Sequence, residues 1–458
     1  MKKLFYIFVF FLPVIVSAQF NLYKDSPLDY AWQNIGNAGF SSGRADYISL
    51  AFSQSGQPYV AYEDDGNSQN ATVMKFDGTN WINVGNAGFS PGPVYYTSLA
   101  ISPSGEPYVA FVDYVISSTI IVMKFDGTNW VNVGSAGFSH GTPGYISLVF
   151  SPSGEPYVAY IDGGSLYANV MKFDGTNWVN VGNSNFSAGG AAFTNLAFSP
   201  SGQPYVAYED DGNSFKDTVM KFDGTNWINV GNAGFSVSYV GDTRLAFSPS
   251  DGQPYVAYQD GGNLYKATVM KFDGTNLVNV GNAGFSAGEA DYTSFAFSPS
   301  GQPYVAYKDY GNSYKATVMK FDGTNWVNIG TAGFSAGVTN YTSLAFSPSG
   351  YPYVAYNDWP NAFKVTVKYY NGPTGINEPE HSQLSFYPNP AIDRITVEIS
   401  GTAKGCNLSI VNIEGQELIP RQISEPKTEI DISNLPSGVY FVRLTNDRMV
   451  EVGKIIKQ

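Results

Sequence analysis

Carboxylates, a single early histidine and a large set of aromatic rings are the side chains in this sequence that could do chemistry, and their spacing limits what it can be. Three pairs of charged groups stand two residues apart: Arg44 with Asp46, Asp242 with Arg244, and Glu289 with Asp291. Paired carboxylates can cleave a glycosidic bond by acid–base chemistry, but the plainer reading of these is solvated loop charge. His140 is the one histidine before His381, so a His-dependent nucleophilic triad or a multi-histidine metal site has little material to draw on. Asp64, Asp113, Asp162, Asp210, Asp260, Asp309 and Asp358 recur at one period. Carboxylate oxygens suit calcium, which stays open as a cofactor at these positions. No other acidic position accompanies the aspartate in every copy, which favours a turn closed by side chain on backbone and a protein without a cofactor.

The aromatic residues divide by register. Trp32, Trp81, Trp130, Trp178, Trp227 and Trp326 occupy one repeated position, with Leu277 as the substitute in the remaining copy; regular recurrence reads as packing. Trp359 lies outside that register, beside Pro360. Tyr96, Tyr145, Phe193, Tyr292 and Tyr341 fall near the start of another repeated segment, and Tyr310 and Phe363 lie in variable stretches. Rings with Asn and Asp nearby can stack on a sugar and bond its hydroxyls. Together with Trp359 these seven residues form the candidate ligand site.

The elements that must hold these residues come from an internal repeat. Pro-Tyr-Val-Ala begins at Pro58, Pro107, Pro156, Pro204, Pro254, Pro303 and Pro352, at intervals of 48 to 50 residues. Each copy contains four short runs rich in Val, Tyr, Phe and Trp. They are separated by Ser-Pro-Ser-Gly, by an Asp/Gly/Asn-rich stretch and by Asp-Gly-Thr-Asn, where glycine can supply the positive φ of a tight hairpin. Aromatic residues at 16%, with 49 Gly and 26 Pro, fit strands and turns rather than helices. Four strands at this period predict an all-β fold, a seven-bladed β-propeller. The segment Trp32–Gly36 matches a fourth strand with no strands before it, while the last copy ends at Tyr370 without one. The orphan is therefore expected to complete the last blade and close the ring, which removes an open sheet edge. In a propeller the loops after the second and fourth strands share one face, and here these are the variable ones. That face is the candidate binding surface.

The hairpin Phe125-Asp-Gly-Thr-Asn-Trp130 resembles the Asp-containing turns of sialidase-type propellers and the turn-then-Trp hairpin of Kelch repeats. The Asp spacing is narrower than in the first, and the double glycine of the second is absent. The sialidase family surrounds an anionic substrate with arginines, whereas only Arg44 and Arg244 precede the tail.

The two ends of the chain are about export. Lys2 and Lys3, the apolar run Leu4 to Val16 and the small residues before Gln19 predict a signal peptide over residues 1–18. A propeller is expected over 19–372 and a Gly/Pro-containing linker over 373–383. From Leu384 to Gln458 a small β-sandwich is expected. This segment resembles the type A C-terminal sorting domain of the type IX secretion system, on Tyr387-Pro388-Asn389-Pro390-Ala-Ile-Asp393, on Leu408 to Gly415, and on Leu435 to Arg443, which includes Gly438 and Tyr440, with Lys454. The resemblance implies the secretion machinery as partner, and release or display at the outer surface. One cysteine, Cys406, leaves no intramolecular disulfide, and a formal charge of −13 argues against nucleic acid. No later apolar run is long enough for a transmembrane helix. The leading expectation is a non-catalytic binding or adhesion propeller, with polysaccharide as the ligand class; an extracellular glycosidase or lyase using loop carboxylates and a purely structural surface protein are the alternatives.

Overall fold

The computed structural model describes residues 31–372, 384–388, 390–399, 406–412, 416–423, 425, 427–445 and 450–458. The expected signal peptide and linker lie outside the described residues. Two units part between Gly372 and Pro373.

The first unit is a β-propeller of seven four-stranded antiparallel sheets. Blades 1 to 6 are continuous in sequence, at 45–83, 94–132, 144–180, 191–229, 240–279 and 290–328, and blade 7 joins 339–370 to Trp32–Asn34. Trp32 pairs with Tyr370 and Asn34 with Lys368, so the orphan segment is the outer strand that closes the ring. The described residues contain no α-helix; a short 3-10 turn follows the second strand in five blades.

Burial explains the repeat's pattern. The second strand of blade 1, Pro58–Asp64, is buried along its whole length because neighbouring blades cover both faces of each sheet. The first strand, Ala45–Phe52, alternates. The fourth-strand tryptophans stack on a phenylalanine contributed by the loop that follows the preceding blade. Trp130 lies 4.1 Å from Phe89 between ring centroids, and its Nε1–H donates to the Val84 carbonyl at 2.7 Å. Asp126 Oδ1 accepts from the Thr128 and Asn129 N–H groups, both at 2.8 Å, and Gly127 sits at φ +100° between them.

Around the axis the blades are linked by a hoop of hydrogen bonds. Leu50, Leu99, Leu148 and Leu344 N–H donate to Ser343, Ser49, Ser98 and Ser294 Oγ at 2.9 to 3.0 Å. Leu196 N–H donates to Ser147 and Leu245 N–H to Asn195 in the same way. The seventh link, to Phe295, would need Arg244 as acceptor, and a guanidinium has no acceptor to offer.

The second unit is a β-sandwich. Leu384–Tyr387, Arg394–Ile399 and Lys427–Asp431 form one sheet. Glu417–Ile423, Cys406–Val411, Gly438–Thr445 and Val450–Lys457 form the other. Ile395, Val397 and Ile430 of the first sheet meet Leu408, Ile410, Val442 and Ile455 of the second in one buried core.

Candidate functional site

The first strand of every blade carries a bulge, and the bulge builds the site. In blade 1 the pairing of Asp46 with Glu63 skips to that of Ser49 with Ala61, leaving Tyr47 and Ile48 out of the ladder. Tyr47, Tyr96, Tyr145, Phe193, Asp242, Tyr292 and Tyr341 are the equivalent residues of the seven blades, and all have φ between 49° and 57°. Glycine would relieve that left-handed conformation, which costs a side chain of this size on the order of 1–3 kcal/mol. No blade uses glycine there, so the side chain itself is what the position holds.

These side chains turn toward the axis and line a cavity of about 420 Å³. Six rings follow one another in an arc: Phe193 to Tyr145 at 4.6 Å, Tyr145 to Tyr96 at 5.4 Å, Tyr96 to Tyr47 at 5.1 Å, Tyr47 to Tyr341 at 5.2 Å, and Tyr341 to Tyr292 at 4.8 Å. The arc is open at blade 5, where Asp242 replaces the ring and Arg244 replaces the serine of the layer below. Burial holds the Asp242 carboxyl above its ordinary range and pulls the Arg244 guanidinium below its own. Asp242 also receives Thr293: its carbonyl accepts the Thr293 hydroxyl at 2.6 Å. The expectation that Asp242 and Arg244 are solvated loop charges is therefore corrected, because the bulge turns both into the axial wall.

The other two charged pairs sit on the rim. Arg44 makes a two-pronged ion pair with Asp46, at 3.0 Å for each prong, and its guanidinium lies 5.4 Å from the Phe363 ring. Trp359 is 65% exposed and meets Phe363 edge to face at 5.2 Å. Burial, with Asp46 adding to it, raises the Tyr341 hydroxyl pKa, and Arg44 acts on the same hydroxyl in the opposite sense, so the Arg44–Asp46 pair stands between the Trp359 cluster and the aromatic arc. On the blade 6 side, Asp291 accepts from the Tyr310 hydroxyl and from Gln259, both at 2.7 Å. Lys308 lies over Tyr292, Tyr310 and Tyr314 at 5.5 to 5.8 Å from their centroids. Two rim carboxyls are protonated more readily than usual. Burial, with Asp46 adding to it, pushes Glu63 up to about 7, and burial with Asp211 does the same to Glu209.

Of the eight candidate residues, five belong to the arc, Trp359 and Phe363 form one rim cluster, and Tyr310 belongs to the other. Tyr47, the sixth ring of the arc, and Asp242, which opens it, are not among the eight. Both stand three residues before the repeated Leu of the first strand, as Tyr96 does before Leu99, and that register was the available signal.

The repeated aspartates have a local role. Asp210 Oδ1 accepts from Gly212 N–H at 3.1 Å, while its Oδ2 accepts from Asn213 at 2.8 Å and from the Thr218 hydroxyl at 2.8 Å. Asp64, Asp260 and Asp309 repeat the arrangement. Their oxygens are engaged in capping the turn. Among the described residues no group of three His, Cys, Asp or Glu side chains is placed to hold a metal.

In the second unit, residues 385–458 match the family described as the secretion system C-terminal sorting domain. The C-terminal unit is a type IX sorting domain. Its presence makes the protein an exported one, delivered to the cell surface or beyond it. Within the sorting domain Gly438 opens the strand Gly438–Thr445, and the Tyr440 hydroxyl donates to the Pro436 carbonyl at 2.8 Å. The Asp393 carbonyl accepts from Ile432 N–H at 2.8 Å, tying the end of the Pro-containing motif to the core. Tyr387 is exposed, as are Pro388 and Pro390; Lys454 lies in the last strand, and Asn389 is outside the described residues. No helix among the described residues is long and apolar enough to cross a membrane.

Among curated proteins the chain has no match. Among solved structures it is similar to PorZ, a surface component of the type IX secretion system of Porphyromonas gingivalis, at 14% identity and a TM-score of 0.47, over 93% of this chain and 60% of that one. It is also similar to a PL25 ulvan lyase, at 11% identity and 0.49 over 75% and 97% of the two chains. The Aleuria aurantia lectin bound to α-methyl-L-fucoside stands at 16% and 0.44, over 65% and 99%.

Proposed function

We propose that this protein is a non-catalytic saccharide-binding propeller working at the cell surface or in the medium, and that the axial cavity receives the ligand. The observation that carries this reading is the open arc of six rings around a cavity of about 420 Å³, a size in the range of small-ligand sites. Sugar rings have apolar faces that stack on such side chains, and their hydroxyls require partners. The serine hydroxyls offer those partners around the axis and Asp242 with Arg244 at blade 5 alone, so the ligand has one preferred orientation. From the mouth, Arg44, Phe363 and Trp359 lead outward between blades 7 and 1. A chain held in the cavity would run over them.

Hydrolysis is the second reading, favoured by Glu63 and Glu209, whose carboxyls titrate near 7 as a general acid requires. A glycan array with the exported chain, run beside a screen for released reducing ends, separates the two. Selective binding without release is expected. Tyr96→Ala should weaken it at least tenfold, and Trp359→Ala should weaken oligosaccharides more than monosaccharides while leaving the melting temperature nearly unchanged. Release of reducing ends would move the protein to the enzymes, and binding indifferent to Tyr96→Ala would take the ligand out of the cavity.

A further inference from the structure

The turns opposite the aromatic arc carry a second kind of cavity, and it recurs. Between blades 5 and 6, Tyr255, Lys271 and Asn279 of one blade face Gln302, Phe321 and Asp322 of the next across about 400 Å³. Between blades 3 and 4, Tyr157, Lys172 and Asn180 face Gln203, Phe222 and Asp223 across about 400 Å³. The two sets occupy the same register, so the repeat makes the same pocket at different interfaces.

One lining residue has an identity that the fold does not explain. The last residue of the fourth strand is asparagine in all seven blades: Asn34, Asn83, Asn132, Asn180, Asn229, Asn279 and Asn328. Asparagine is disfavoured in strands, and its side chain is exposed in every copy. The amides of Asn180 and Asn279 have no hydrogen-bonding partner among the described residues. Neighbouring repeated residues have clear structural work: the tryptophan stacks, and the turn aspartate caps its own hairpin. The asparagine does neither, and it stands at the pocket wall.

The charges in the pocket set the ligand class. Lys172 is held by Glu155 at 3.1 Å and Lys271 lies 3.9 Å from Asp251, so each ammonium is already countered by a carboxylate. Asp223 and Asp322 line the pockets and accept backbone N–H groups through one oxygen, Oδ1. Amide groups, a carboxylate and aromatic rings in one lining suit a neutral ring that carries several hydroxyls. They do not suit a phosphate or a sulfate.

We infer that the inter-blade pockets are a second set of binding sites, each taking one unit of a neutral saccharide through its fourth-strand asparagine, so that the propeller is multivalent on the face opposite its axial site. This does not rest on the axial site holding a sugar.

Titration of the full exported chain with neutral hexoses and pentoses, followed by calorimetry and native mass spectrometry, tests it. More than one equivalent of sugar is expected. The double variant Asn180→Ala/Asn279→Ala should lose two equivalents with an unchanged melting temperature, and Tyr96→Ala should lose at most the axial one. A stoichiometry of one or none, or a double variant that binds as many equivalents as the parent, would overturn the inference.

Discussion

At the scale of single residues, the informative positions are those where one blade departs from the other six. Asp242 and Arg244 open the aromatic arc, and Asp217 puts a carboxyl where the other blades have Ala71, Ile120, Ala168, Ala267, Ala316 and Val365. Asp217 is buried, its Oδ1 accepts the Thr243 hydroxyl at 2.6 Å, and its Oδ2 has no partner; burial holds its carboxyl well above the ordinary range. Glu63 offers a cleaner test of such burial. Its carboxyl titrates at about 7 in the fold against an ordinary 4.5, so the folded state holds the proton more tightly than the unfolded one. Its contribution to stability is therefore fully present below about 4.5 and is lost as pH rises through 7. Glu63→Gln keeps a neutral side chain throughout. Thermal melts should show the variant about level with the parent at pH 4 and more stable at pH 8, by on the order of 2 kcal/mol.

Elements explain why some of this was legible in the sequence and some was not. The strand order, the turns and the closing segment follow from short-range signals: Asp-Gly turns, a proline at the start of the second strand, and a fourth strand with no partners beside it. The axial wall depends on a bulge. A bulge shifts two residues out of the ladder without changing the strand's composition, so Asp242 reads as a loop charge when it is a wall residue. The fourth strand of blade 5 is the other departure. Leu277 stands there beside Phe235, within the same surroundings that hold tryptophan elsewhere. In the neighbouring copy Trp227 stacks on Phe186 at 4.5 Å and donates to the Val181 carbonyl at 2.8 Å. Leu277→Trp should supply both contacts and raise stability by about 1 kcal/mol, the scale of an aromatic pair; denaturant unfolding reads the gain. A loss would mean that blade 5 has repacked around the leucine.

For the whole molecule, the sorting domain and the ring make separate demands. Removing residues 384–458 should leave the ring folded and stop its passage across the outer membrane. Cell fractionation should find the truncated protein in the periplasm, and its appearance in the medium would defeat the assignment of sorting to this unit. The closing strand adds a constraint of time. Ala31 N–H bonds to Asn371 across 340 residues of chain, and Trp32 pairs with Tyr370. The segment synthesised early must therefore wait, unpaired, until the last blade has been made and delivered. Blades 1 to 6 can form from contacts within 40 residues or so of one another, but blade 7 is left with three strands until that late meeting. An interruption before Tyr370 has been made and delivered thus leaves a ring with an exposed edge, and the finished ring is a record that the whole propeller has arrived.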